Sequence, residues 1–520
     1  MRNIKAYISL LCLTFSLGLN AQSLNLEKVF AVPGSEKITN KVLSIFELEE
    51  AFVVWNLAKR GEDGLFIIDK KTKIILLESS LEEISPIKPI AMGVLKDQFV
   101  LIGLDPKKTS LFKKDKAYHG NPLFYACFDA TGKIVKGGDL FNLPSISDNL
   151  RQSAGAFFHP SGNYLVVTST KKGEKKTLYT SVFDADFNFL GESSETYDDN
   201  MAFMSSFIES RSNSELDEEG NLYSLSQDGN SIRIAQRIDN YETIEIALSQ
   251  NGLAVGESIG NIKLQILNPD SLLVSGLILA KGEADEKPTS RFFNFDFSQL
   301  KGHYNMILST MDREVLSEKI TYFTEEEEAL IPESFTSIQE DERSLGQYYH
   351  RRQEILASGD YLEIVELWTL LGYAFIHDYL IISRYKADGT RVWMQVIDKF
   401  QHRQTGEAYS FARDFSGFVS LLGKDQLSLL FNQKEGADRK AKRIRNPFLL
   451  RKMNLKKAEQ TLVHIDLKTG AVISTKVSDY DENKAGFTKG RYNEDEFQFG
   501  PYFLIWDADL DQDVLVRVNK

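Results

Sequence analysis

Three stretches of this 520-residue sequence, and a fourth group of scattered histidines, hold the side chains able to do chemistry. The most charged is 434–457, KEGADRKAKRIRNPFLLRKMNLKK, with ten basic and two acidic residues, or +8 in 24 positions of a chain whose net charge is −13. Arg439, Lys440, Lys442, Arg443, Arg445, Arg451 and Lys452 form the candidate anion-binding set within it. A run of like charge either solvates as a long inter-strand loop or docks on an anionic glycan or lipid headgroup. Phe448, Leu449, Leu450 and Met453 supply an apolar foot. Aromatic and basic residues do not alternate there, so stacking on nucleic-acid bases is not expected.

The second stretch, Tyr348-Tyr349-His350-Arg351-Arg352, mixes aromatic and cationic groups. Such a surface suits sugars or anionic peptides. The same residues directly precede a strand, where ordinary packing is the leading reading. The third, Asp507-Ala-Asp509-Leu-Asp511-Gln-Asp513, places carboxylates at alternate positions. Counted from Asp507 as an EF-hand, the glycine position holds Gln512 and the glutamate position Val518. The calcium register therefore fails, and an exposed hairpin turn is expected instead. The histidines are the fourth group, at 119, 159, 303, 350, 377, 402 and 464, with no pair at metal-ligand spacing. No bound metal and no cofactor are expected.

These groups need a scaffold, and the chain opens with an address. Met1 to Ala21 has the layout of a secretory signal peptide: Arg2 and Lys5, a 14-residue apolar run from Ala6 to Leu19, then Leu19-Asn20-Ala21 before Gln22. The run is short of the roughly 20 residues that span a bilayer. Loss of Arg2 and Lys5 takes the net charge from −13 to −15, and loss of Cys12 leaves Cys127 alone. A lone thiol forms no internal disulfide; flanked by large apolar residues in FYACFD, Cys127 reads as a small buried hydrophobe. No other apolar stretch approaches spanning length. Residues 22–520 are expected to form one exported domain, periplasmic or extracellular, with no transmembrane segment.

Helical periodicity is scarce in that domain. Apolar runs of five to eight residues recur instead, among them AFVVW (51–55), YLVVTST (164–170) and YLIISRY (379–385), separated by acidic, Gly or Asn turns. Only the stretch around Tyr322–Leu330 reads as a possible helix. A strand–turn–strand pattern returns at Asp69, Asp129, Asp184, Asp239, Asp312, Lys386 and Asp466, at intervals of 60, 55, 55, 73, 74 and 80 residues. Gly132, Gly389 and Gly470 suit a turn position of positive φ. The weakest stretch of the pattern is 260–323, where Asp296 competes with Asp312 as the turn residue.

Each interval holds about four strands; in the third unit they fall at 152–158, 163–170, 177–184 and 189–196. Four antiparallel strands repeated at such periods describe the blades of an all-β propeller. After the seventh turn the chain still holds PYFLIW (501–506) and VLVRV (514–518), a pair that lacks an outer strand, and Leu24–Val32 can supply it. Closure by strands from both ends favours eight blades over seven.

From about Glu354 the chain resembles secreted β-propeller-like proteins of Bacteroidota of unassigned function. The residues concerned are SGDYLEIVELW (358–368), YLIISRYKADGTRVWMQVIDKFQ (379–401) and LSLLFN (427–432). The resemblance covers about a quarter of the chain. It implies lineage and fold and carries no catalytic motif.

Dinucleotide fingerprints, phosphate loops, nucleophile elbows, HExxH and CxxC are all absent from the sequence. The catalytic set is therefore unknown. The leading expectation is a non-catalytic binding or scaffold module for a protein or glycan. One alternative is a glycan hydrolase or lyase whose carboxylates converge in a central channel. The other is a surface protein held to the outer membrane through 434–457.

Overall fold

The computed structural model describes residues 25–33, 41–57, 63–80, 83, 88–104, 122–142, 154–159, 161–172, 176–197, 214–228, 231–236, 242–247, 252–281, 298–331, 345–371, 374–404, 418–434, 458–476, 485–486, 498–499, 502–507 and 512–519. Residues 1–21, read above as a signal peptide, lie outside them.

The strand sequences are apolar at consecutive positions because both faces of each strand are covered. Ala51 and Val53 point into one hydrophobic cluster, while Phe52 and Val54 point into another. Such a strand suits only a sheet packed on both sides, and the described residues build eight of them: seven of four antiparallel strands, and an eighth of four with one further two-residue strand paired alongside.

A first strand, β1 (Asn25–Ala31), precedes seven successive sheets. Sheet one holds β2 (Lys41–Glu47), β3 (Ala51–Leu57), β4 (Asp63–Asp69) and β5 (Ile75–Ser80). Sheet two holds β6 (Lys88–Leu95), β7 (Gln98–Leu104), β8 (Pro122–Phe128) and β9 (Ile134–Asn142). Sheet three holds β10 (Ala154–Phe158), β11 (Tyr164–Lys172), β12 (Lys176–Asp184) and β13 (Phe189–Tyr197), within a few residues of the sequence expectation. Sheet four holds β14 (Ser214–Leu216), β15 (Leu222–Asp228), β16 (Ser231–Gln236) and β17 (Glu242–Ala247). Sheet five holds β18 (Glu257–Asn268), β19 (Ser271–Lys281), β20 (Ser298–Ser309) and β21 (Val315–Tyr322). Sheet six holds β22 (Leu345–Ile355), β23 (Tyr361–Leu371), β24 (Ala374–Tyr385) and β25 (Arg391–Gln404). Sheet seven holds β26 (Val419–Leu422), β27 (Gln426–Lys434), β28 (Ala458–Asp466) and β29 (Val472–Lys476).

The eighth sheet draws on both ends of the chain. The short strands β30 (Ala485–Gly486) and β31 (Gln498–Phe499) pair with β32 (Tyr502–Asp507), which pairs with β33 (Gln512–Asn519). Strand β1 then pairs antiparallel with β33, from Asn25 opposite Asn519 to Ala31 opposite Val514. This is the pairing expected between Leu24–Val32 and the C-terminal strands. Each sheet packs on the next, and the eighth packs on the seventh through Val514 and Val516 and on the first through Phe30, Tyr502 and Leu515. Sheets five and six are also joined by backbone pairing, where Ser298 and Gln299 at the start of β20 face Gly346 and Leu345 of β22.

The recurring turn of the sequence is the link between third and fourth strands. At Asp129, for example, Oδ1 accepts from the Thr131 and Lys133 amides, and the Gly132 amide donates to the Asp129 carbonyl at 2.9 Å. One position of this turn takes positive φ in six sheets: Lys73, Gly132, Phe187, Arg313, Gly389 and Gly470. One expectation changes in detail. In sheet five Ser309, not Asp312, opens the turn; its amide donates to Glu314, and its Oγ accepts from the Asp312 amide at 3.0 Å. That places the sheet-five turn at 310–314; Asp296, the competing residue of the sequence pattern, lies outside the described residues. Asp239 lies between β16 and β17 but outside the described residues.

The helix expected around Tyr322–Leu330 is shorter. Strand β21 runs through Tyr322, and α1 spans Glu325–Leu330. Thr324 starts it with a reciprocal capping box, its Oγ1 accepting from the Glu327 amide while Glu327 Oε2 accepts from the Thr324 amide.

Phe30 ties β1 into this arrangement, with its ring 5.3 Å from that of Phe52, which meets Tyr502 edge-on at 5.4 Å. Phe30→Ala is expected to cost about 3–5 kcal/mol in urea unfolding, as for other buried phenylalanines. A loss below about 0.5 kcal/mol, the scale of an ordinary surface substitution, would show that β1 is not held on β33 in solution.

Candidate functional site

The basic set Arg439, Lys440, Lys442, Arg443, Arg445, Arg451 and Lys452 lies outside the described residues, but its anchor points do not. Lys434, the last residue of β27, faces Ala458, the first of β28. The segment thus leaves and returns at one end of two paired strands. Within sheets one to seven that end carries the long connections, although in sheets one, three, four and six its second-to-third link is also five residues or fewer. The first-to-second and third-to-fourth connections are all two to five residues long. Connections at the opposite end include 17 residues between β7 and β8, 16 between β19 and β20, and 23 between β27 and β28.

The Tyr348–Arg352 stretch is strand β22, and the packing reading holds. Tyr348 is buried with its hydroxyl 2.9 Å from that of Tyr379. A bulge between His350 and Arg352 sends both arginines toward the same neighbour. Arg351 Nε donates to Glu366, and Arg352 Nη1 donates to Ser420 Oγ of sheet seven at 2.7 Å. Asp507 and Asp513 belong to the β32–β33 hairpin, with Asp507 opposite Gln512 and Trp506 opposite Asp513. Cys127 is buried among Val100, Leu165 and Val167, and burial pushes its thiol up to about 11.

The structure assembles a polar site that sequence spacing does not reveal, on the two faces of sheet six. Toward sheet five, His303 of β20 places Nδ1 3.0 Å from Glu363 Oε2 of β23, and both side chains are fully buried. Gln353 of β22 donates through Nε2 to Glu363 Oε1 at 3.2 Å and also to Ser275 Oγ of β19. His350 stands beside them. It is half-buried as a residue, but both ring nitrogens are sealed from solvent and neither has a hydrogen-bond partner. Burial pushes its imidazole down to about 3. Burial alone would raise the Glu363 carboxyl, but hydrogen bonds from His303 and Gln353 and the nearby imidazoles outweigh it and hold the group below its ordinary value. The stacked rings of Tyr361 and Tyr385 close the site, and burial pushes both phenols upward.

Toward sheet seven, Lys399 of β25 donates to Glu366 Oε1, again with both side chains fully buried. The ammonium lies 5.2 Å from the Phe418 ring centroid. Glu366 therefore serves two cations, Lys399 and Arg351. The signal that finds these groups is the strand YLEIVELW itself. Two glutamates inside an apolar run covered on both faces must meet buried partners.

Chemically, the His303–Glu363 pair has the elements of a general acid–base couple: a carboxylate on Nδ1 and an unpartnered Nε2. Catalysis requires hydrogen-bond reach to a substrate. His303, Glu363, Glu366 and Lys399 have no exposed surface, so none offers that reach in this conformation. Among the described residues, no group of three or more His, Cys, Asp or Glu side chains is placed to hold a metal ion, and no helix is long and apolar enough to cross a membrane.

No family model matches the chain, and no curated protein sequence matches it. Among solved structures, the chain is similar to the WD40 domain of SCAP from fission yeast at 8% identity and TM-score 0.39, covering 95% of this chain and 98% of that one. It is also similar to the β-propeller domain of the Trilobed protease from Pyrococcus furiosus at 11% identity and TM-score 0.31, covering 72% and 96%. A third is a Mycobacterium tuberculosis puromycin-hydrolyzing peptidase at 9% identity and TM-score 0.35, covering 92% of this chain and 60% of that one. At these scores the propeller assignment rests on the eight sheets themselves.

Removing one member of a buried ion pair strands the other in an apolar medium. Glu366→Gln is expected to cost about 3–5 kcal/mol in urea unfolding. Glu366→Leu combined with Lys399→Met should cost clearly less than the sum of the two single changes, since Arg351 lies nearer solvent. Strict additivity of the two would show that Lys399 and Glu366 do not depend on each other.

Proposed function

We propose that the protein is an exported propeller of eight blades, closed through β1 and β33, that binds a protein or glycan partner without transforming it. The observation that carries this reading is the unequal length of the connections. Turns of two to five residues leave one end of sheets one to seven with little beyond the hairpins themselves, whereas the other end carries connections of up to 23 residues. Binding residues concentrate on loops held by a rigid scaffold, and the long-connection end has the material for a contact surface. The burial of His303, Glu363, Glu366 and Lys399 supports binding over catalysis, since these groups are engaged with one another. Export rests on the Met1–Ala21 pattern.

The basic segment emerges at this end and gives the surface a preference for anionic partners, with Arg439, Lys440, Lys442, Arg443, Arg445, Arg451 and Lys452 as the contact residues. Its net charge of +8 opposes the acidic charge of the whole chain.

Replacement of 436–456 by a short Gly-Ser bridge tests both points. The shortened protein should keep its far-UV spectrum and elute from heparin at lower salt than the full chain, and it should lose retention on vesicles containing anionic lipid. Unchanged elution and retention would remove the binding role of the segment. Heparin or another polysaccharide should emerge uncleaved after incubation with the full chain; accumulation of shorter products would replace binding by hydrolysis or lysis.

A further inference from the structure

The contact between sheets five and six differs in kind from an ordinary apolar seam. It holds two imidazoles, one carboxylate, one amide and one hydroxyl, drawn from both sheets. Sheet five contributes His303 and Ser275, and sheet six contributes His350, Gln353 and Glu363. Several of the sealed polar atoms here have no partner: His303 Nε2, both nitrogens of His350 and Gln353 Oε1. A buried polar atom without a partner has lost its water and gained nothing in return, so this seam holds its sheets together less firmly than an apolar one of equal area. The charged and titratable groups facing His350 are Glu363 from β23, Lys263 from β18 and His303 from β20; Tyr361 and Tyr385 complete the surroundings of Glu363, with Arg391 beyond Tyr385.

We propose that this seam is an acid-operated latch, shut while His350 is uncharged and parted when that imidazole takes up a proton. The geometry gives the proton no place in the shut form. Both ring nitrogens are sealed, and Lys263 supplies a second positive charge nearby. The one carboxylate within reach already accepts from His303 on one oxygen and from Gln353 on the other. Parting the sheets hydrates the ring and lets it take the proton.

The sign follows from proton counting. The His350 imidazole is held at about 3 in the shut form and returns to about 6.5 when hydrated. Between those values the parted form carries one proton more than the shut form. The ratio of parted to shut therefore rises as pH falls, by up to about tenfold per pH unit. Above about 6.5 the two forms bind protons equally and the ratio is flat. The carboxylates of Asp69, Asp129 and Asp388 lie below their ordinary values and contribute their own acid sensitivity only at pH near 4 and lower.

Hydrogen exchange on the full chain, corrected for the intrinsic effect of pH on amide exchange, tests this between pH 7.5 and 5. Peptides from 298–309 and 345–371 should exchange progressively faster below about pH 6.5, with a slope approaching one decade per pH unit. Peptides from 88–104 and 122–142 in sheet two should not change. The non-titrating variants His350→Leu and His350→Gln should flatten the slope in the first set. The latch is overturned if the wild-type protein shows no slope at the seam, if sheet two shows the same slope, or if either variant that folds keeps the wild-type response.

Discussion

A four-stranded antiparallel sheet cannot cover its own faces, and in this protein both faces are apolar. The rest of the structure follows from that constraint. The main hydrophobic clusters join neighbouring sheets: Leu101 and Phe128 meet Val53 and Ile67, Leu216 and Leu222 meet Val166 and Val182, and Val463 and Phe431 meet Leu362 and Leu380. Stability is therefore shared between neighbours, and no sheet can be lifted out without uncovering the two beside it. Edge strands are the remaining exposure, and the chain blunts them. A register irregularity falls where the fourth strand begins in sheets one, two, three, five and six, opposite Ile68, Phe128, Phe183, Leu308 and Tyr385. A bulge at that point twists the outer strand away from a further partner.

The same constraint explains why polar groups in sheet six matter more than their number suggests. A carboxylate on a strand covered on both sides has no route to water and must be met by a cation or a donor from the adjoining sheet. Glu363 and Glu366, three residues apart, reach opposite faces because Val365 and Ile364 keep the alternation of the strand. One glutamate is met by neutral or weakly basic groups, the other by two strong cations. Sheet six thus has one rigidly paired face and one face whose pairing depends on an imidazole.

Much of the architecture was legible in the sequence because it rests on local chemistry. Apolar runs bounded by Asp, Gly and Asn turns marked the strands, and the turn at Asp129 or Asp466 names its own geometry through an acceptor side chain and a glycine of positive φ. The orphan strand pair at 501–518 pointed to its partner near Leu24. Ser309 was missed because serine can open the same turn as aspartate, with a weaker local signature. The polar site was missed because it depends on which residues meet across a seam. His303 and Glu363 are 60 residues apart, and nothing in their own neighbourhoods records that they touch. Strand YLEIVELW held the nearest clue, in two acids where only apolar residues fit.

The pairing of β1 with β33 also has a consequence in time. Asn25 and Asn519 face each other although 494 positions separate them. At synthesis rates of roughly 5–20 residues per second, the first strand waits on the order of 25–100 s for its partner to be made. During that wait Phe30 has no Leu515 or Tyr502 to pack against, and the first sheet has one face uncovered. The least protected surface of the newborn chain is thus its earliest part, and a holding chaperone would be most useful at that strand.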